Sequence, residues 1–141
     1  MKTTLLISAL FLMPAYAAAQ SAEDVYGSWV TKDANGHIEI TDCGDGTSCG
    51  NIVWINEEEA SSDKDINNPD ESLRGRSLIG LPMVWGFEQK GKVWRKGKVY
   101  DPETGRTYRA KLTPTKTGDL KLTGCFGPIC QSQTWTPLEA Q

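Results

Sequence analysis

The sequence predicts an all-β domain, an antiparallel up-and-down barrel of about eight short strands. Three observations carry that expectation. Short segments rich in β-branched and aromatic residues alternate apolar with polar positions, as half-buried strands do. Gly, Asn, Asp and Pro residues separate them, mostly at hairpin spacing. No stretch carries the long apolar period of a helix. A chain of 141 residues is enough for one domain. Closing the sheet explains how it dispenses with covering helices, because closure removes both exposed edges.

The elements follow in order. Val25 to Thr31 has strand composition, and Asp33-Ala34-Asn35-Gly36 is a turn signal. His37 to Thr41 places Ile38 and Ile40 on one face. Gly44-Asp45-Gly46 turns again, and Asn51 to Ile55 is apolar on both faces. Asn56 to Ser77 is a long acidic connection. Inside it Asn68 is placed to cap a short helical turn through Ser72-Leu73-Arg74, with Pro69 at the first helical position and Glu71 reaching back. Pro82 to Phe87 puts Met83, Trp85 and Phe87 on one face. Lys92 to Tyr100 follows, with a bulge or bend at Gly97 and Trp94 on the face of Lys96, Lys98 and Tyr100.

Asp101-Pro102-Glu103-Thr104-Gly105 is the clearest hairpin signal. Arg106 to Thr113 then turns Tyr108, Ala110 and Leu112 inward. Leu120, Leu122 and Gly124 alternate with Lys121 and Thr123, and the last strand runs from about Gln131 to Trp135. The expected interior is Trp29, Ile38, Ile40, Trp54, Trp85, Phe87, Tyr108, Leu112, Leu120, Leu122 and Trp135.

Residues 1–19 have the layout of a cleaved secretory signal peptide. Lys2 precedes the apolar run Leu5 to Met13, Pro14 breaks it, and small residues at Ala15, Ala17 and Ala19 offer cleavage sites. This predicts an exported, periplasmic or secreted protein with a single domain over residues 20–141. The apolar run is too short to span a bilayer. Cys43, Cys49, Cys125 and Cys130 all lie beyond it. An even count in an exported chain reads as a disulfide framework. Of the possible pairings, the close spacings favour Cys43–Cys49 and Cys125–Cys130. Zinc is the rival reading, with His37 the single histidine, but the spacing does not suit it.

Charge is divided along the chain. Residues 20–73 hold 2 basic and 13 acidic residues, and residues 74–121 hold 12 basic and 4 acidic. Such asymmetry marks either a surface for an anionic partner or an acidic loop lying over a basic sheet. Nucleic acid is a poor partner for an exported chain of net negative charge.

Several motifs taken together resemble a family of bacterial exported proteins known as domain of unknown function 2147. They are Gly27-Ser28-Trp29, His37-Ile38-Glu39-Ile40 and Gly50-Asn51-Ile52-Val53-Trp54. Asp65 to Asp70 leading to Leu73-Arg74-Gly75-Arg76 follows, then Gly97 to Pro102 with Gly105 to Tyr108, and last Cys130 to Trp135. The resemblance covers nearly all of the chain beyond the leader. It implies export and a single domain, and no reaction. The family pattern ends Trp-Thr-Arg and this chain has Trp135-Thr136-Pro137, so no role passes to that arginine here. More distantly, Gly27-Ser28-Trp29 is similar to the first strand of lipocalins and related calycin barrels.

Five tryptophans suit either an aromatic ligand pocket or simple core filling. The candidate ligand walls are Trp29, Trp85, Phe87 and Tyr108. Arg95, Lys96, Lys98, Arg109 and Lys111 form a candidate docking face on the basic strands. Asp65, Asn68, Asp70, Arg74 and Arg76 form a candidate network holding the long loop over the barrel mouth. A calcium loop beginning at Asp63 fails, because Asn68 and Arg74 stand where glycine and glutamate are required. No nucleophile elbow, phosphate-cradling loop or zinc-protease motif occurs, and neither metal nor cofactor is expected. The leading reading is a non-enzymatic binder of a small apolar or aromatic ligand. The alternative is a filled barrel docking on a cell-envelope component. A carboxylate enzyme using Glu39, Asp101 or Glu103 is the third.

Overall fold

A computed structural model describes residues 25–140. The expected signal peptide, residues 1–19, lies outside them. Among the described residues no helix is long and apolar enough to cross a membrane. Strands β1 (Gly27–Val30), β2 (Gly36–Asp42), β3 (Ser48–Ile55) and β4 (Pro82–Lys90) are followed by β5 (Val93–Asp101), β6 (Arg106–Pro114), β7 (Leu120–Phe126) and β8 (Ile129–Pro137). Each pairs antiparallel with its sequence neighbour, and β8 returns to β1 to close the barrel. The closing seam is short, with Trp29 opposite Pro137 and Val30 opposite Thr136.

Up-and-down order fixes which loops share an end. The β1–β2, β3–β4, β5–β6 and β7–β8 connections lie at one end, the mouth. The β2–β3, β4–β5 and β6–β7 turns lie at the other, the base. The base is packed solid. Trp29, Phe87, Trp94, Leu112, Leu120 and Trp135 are buried there, and the Trp29 indole N–H donates to the Val25 carbonyl at 2.9 Å. The cysteines pair as Cys43–Cys49 near the base and Cys125–Cys130 near the mouth. Thiolates for zinc are therefore not free.

Bulges in β3, β4 and β5 change which side chains face inward. Between His37 and Ile38 the β2–β3 register slips, so Ile52 points in and Trp54 points out. Trp54 is 43% exposed and stacks on His37 at 4.4 Å between ring centroids. In β4, Gly86 has φ +74°. Val84 and Phe87 are buried, and Trp85 lies opposite exposed Lys98 on the outer face, half-buried. In β5 the register slips between Trp94 and Gly97, and Lys96 takes φ 61°. Trp94 is thereby buried, near Tyr26 at 5.8 Å. The inward placements expected for Trp54 and Trp85, and the outward one for Trp94, are thus corrected.

Gly97 itself is a requirement of packing. The Phe87 ring lies flat enough over it that any Cβ would overlap the ring.

Candidate functional site

The open half of the barrel holds a cavity of about 520 Å³, within the range of small-molecule sites. Its floor is apolar, made by Ile38, Ile52, Val99 and Leu122. Tyr108 and Phe126 form one wall, their rings 6.0 Å apart and edge-on. Gly124 lies beside Tyr108 and Val99, and its missing side chain keeps the space clear. Gln131 and Gln133 bring two amide side chains into this lining. The Gln133 oxygen accepts the Trp135 indole N–H at 2.9 Å. The rim mixes charges, with Lys32, Asp33, Lys64 and Glu103 among its residues.

The β3–β4 connection folds over part of this mouth. It forms a small hairpin of its own, in which Lys64 bridges Ser77, Asp65 N–H donates to Arg76 O and Leu78 N–H donates to Asp63 O. Its anchor is Asp65, which is fully buried. One carboxylate oxygen accepts the Tyr100 hydroxyl. The other accepts Asn68 Nδ2 at 2.8 Å, Arg76 Nε at 2.9 Å and Arg76 Nη2 at 2.8 Å. Burial pushes the Asp65 pKa up. The hydrogen bonds from Tyr100, Asn68 and Arg76, with the Arg76 charge, outweigh that and hold it below the usual carboxylate value. Burial and the adjoining Asp65 carboxylate push the Tyr100 phenol up to about 12.

Asn67 makes a second attachment. Its Nδ2 donates to the Pro102 and Glu103 carbonyls, both at 3.0 Å. A Cβ at Gly105 would overlap the Asn67 backbone, and φ there is +69°. The glycine thus serves both the turn and the docking of the loop.

The structure brings Asp65, Asn68 and Arg76 into direct contact. Arg74 joins them by donating Nε–H to the Asn68 carbonyl at 2.8 Å. Asp70 stands apart as the cap of the Glu71–Leu73 turn, accepting Ser72 N–H at 3.0 Å. Bonds from Ser72 hold the Asp70 pKa low. Asn68 therefore does not cap that turn. Its Oδ1 accepts Asp70 N–H, and its Nδ2 is committed to Asp65 and Tyr100.

Of the four expected ligand walls, Tyr108 alone lines the cavity. Trp29 and Phe87 fill the packed base, and Trp85 lies on the outer face. The first two lie in the filled base, and the third is turned outward by the Gly86 bulge. Arg95, Lys96, Lys98, Arg109 and Lys111 are all exposed on β5 and β6. Lys98 sits directly opposite Arg109, and Lys96 pairs with Glu88 at 3.1 Å. Glu39 faces outward, and Asp101 accepts from Glu103 N–H and Thr104 Oγ within its own turn. Gln131 and Gln133 were not singled out by sequence. Strand alternation from Trp135, an expected interior residue, would have found both.

Residues 27–137 match the family described as uncharacterized protein conserved in bacteria (DUF2147). The chain belongs to this family. The family description assigns no activity. A search of the curated proteins returns no match. Among solved structures the chain is similar to HP1028 from Helicobacter pylori, described as belonging to the lipocalin family. The two share 22% identity over 80% of this chain and 82% of that one, with a TM-score of 0.70. At that identity the likeness shows a lipocalin-like barrel and nothing finer.

Proposed function

We infer that this protein binds one small ligand with an apolar body and a hydrogen-bonding group, held in the open half of the barrel. The half-filled interior carries this reading. A barrel built only as a scaffold gains nothing from leaving about 520 Å³ unpacked, since voids forfeit dispersion contacts. Eight-stranded barrels are wide enough to hold one small ligand. The apolar floor supplies affinity, and Gln131, Gln133 and the Tyr108 hydroxyl supply orientation. The Asp65–Tyr100 latch fixes the loop that covers part of the mouth. Export is part of the same reading, resting on the leader-like N-terminus and on disulfides that suit an oxidising compartment.

The test is binding of anilinonaphthalene sulfonate, an apolar dye, followed by its fluorescence. Gly124→Leu fills the cavity from a position with ordinary space around it, so it should abolish dye binding while the fold persists. Dye binding that survives Gly124→Leu unchanged would refute the cavity as the site.

A further inference from the structure

The tip of the β7–β8 hairpin is the most exposed large apolar surface among the described residues. Phe126 is 61% exposed and Ile129 is 69% exposed. Single exposed apolar residues are ordinary, and a contiguous pair at a loop tip is not. These two are cross-strand partners. They are held rigid by Cys125–Cys130 immediately beside them and by Arg109 Nη2 donating to Gly127 O at 3.0 Å. Little ordering entropy is therefore lost when such a tip is buried against something else.

Cations surround the tip on one side. The Arg106 guanidinium lies 5.7 Å from the Phe126 ring centroid. Arg109 pairs in register with Cys125 on one side and Lys98 on the other. Like charges directly opposite on a sheet are unfavourable. Among the described residues none of these three cations has a carboxylate within ion-pair distance. Lys111 and Lys121 extend the same face toward the base. The acidic run sits elsewhere. Glu57, Glu58 and Glu59 follow β3, and in the ring order β3 lies halfway round from β7. Asp101 stands in register opposite Arg106, with its carboxylate bonded within its own turn, and Glu103 lies in the adjoining β5–β6 turn.

We propose that the Phe126–Ile129 tip, with Arg106, Arg109 and Lys98, docks the protein on an anionic phospholipid surface. The tip enters the interface between headgroups and acyl chains, and the cations meet the phosphates, the two-signal pattern that peripheral binding requires. The polarity of the barrel orients the approach, because the acidic side is repelled. Phe126 and Ile129 also border the cavity, so the test uses no cavity ligand and reads vesicle partition alone.

The measurement is co-sedimentation of the disulfide-bonded protein with vesicles of phosphatidylcholine alone and of an equal mixture with phosphatidylglycerol. The wild type should sediment with the anionic vesicles, less so at high salt. Phe126→Ser with Ile129→Ser should lower partition at least about tenfold, from the apolar burial lost. Lys98→Gln and Arg109→Gln should each lower it about fivefold. Lys116→Gln, in the base turn, should leave it unchanged. Unaltered emission from the buried tryptophans confirms that each variant is folded. Equal partition onto neutral and anionic vesicles overturns the proposal, as does sedimentation that survives the tip substitutions. No sedimentation with either vesicle also overturns it and leaves the tip to a protein partner.

Discussion

Replacing Tyr100 with Phe removes one hydroxyl and leaves the ring in place. That hydroxyl donates to Asp65 Oδ1 and accepts from Asn68 Nδ2 at 3.3 Å. A hydrogen bond to a charged group contributes about 1.5–3 kcal/mol, so about 2 kcal/mol should be lost at neutral pH. In urea that is a midpoint shift of about 1 M. The same group gives an independent reading at high pH. Its folded pKa is raised from 10.0 to about 12. Between those values the unfolded chain loses the proton and the folded chain keeps it. Stability should therefore be fully present below pH 10 and fall by about 1.4 kcal/mol per unit as pH rises toward 12. The total is about 3 kcal/mol, from a residue that is 6% exposed. The Phe variant lacks this term, so the gap between variant and wild type should close with rising pH. Urea titrations from neutral pH to pH 12 on both proteins measure it. A gap that stays constant across that range would refute the account of the latch.

Other consequences follow from the same packing. Gly97→Ala forces the Phe87 ring off its glycine and should cost at least about 1–3 kcal/mol in thermal unfolding. Asp65 is held below the usual carboxylate value, so its stabilisation is present above about pH 4 and is lost as pH falls through the depressed value. Asp65→Asn should flatten that acid dependence in urea titrations. Trp85→Ala acts on the outer face and should leave dye binding unchanged, whereas loss of binding would move the site. Selective reduction of either short disulfide loop should cost about 2 kcal/mol, read by the same titrations.

The barrel was legible because its strands are short, amphipathic and separated by turn residues that leave little choice of connection. Tyr100-Asp101-Pro102-Glu103-Thr104-Gly105 could hardly be anything but a hairpin turn, and β5 and β6 meet there. The close spacing that favoured Cys43–Cys49 and Cys125–Cys130 matches the pairs seen. The loop network was less legible. Tyr100, its partner across the fold, reads in sequence as one more strand residue. Nothing local says that a loop some thirty residues earlier will cover it (the separation from Asp65 is 35).

What sequence parity could not supply was the bulges, since one extra residue turns every later side chain in the strand to the opposite face. The slips around Trp54, Trp85 and Trp94 have a common consequence. Trp54 and Trp85 belong to the half of the barrel near the mouth, and regular alternation would have pointed both indoles into it. The slip at His37/Ile38 and the turn at Gly86 put them outside instead. Trp94 belongs to the base, and the Lys96 bulge brings it in. Large aromatic bulk is thus withdrawn from one end and added to the other. The cavity lined by Ile52, Val99 and Leu122 exists because of those slips. A sequence with the same composition and strict alternation would have filled it.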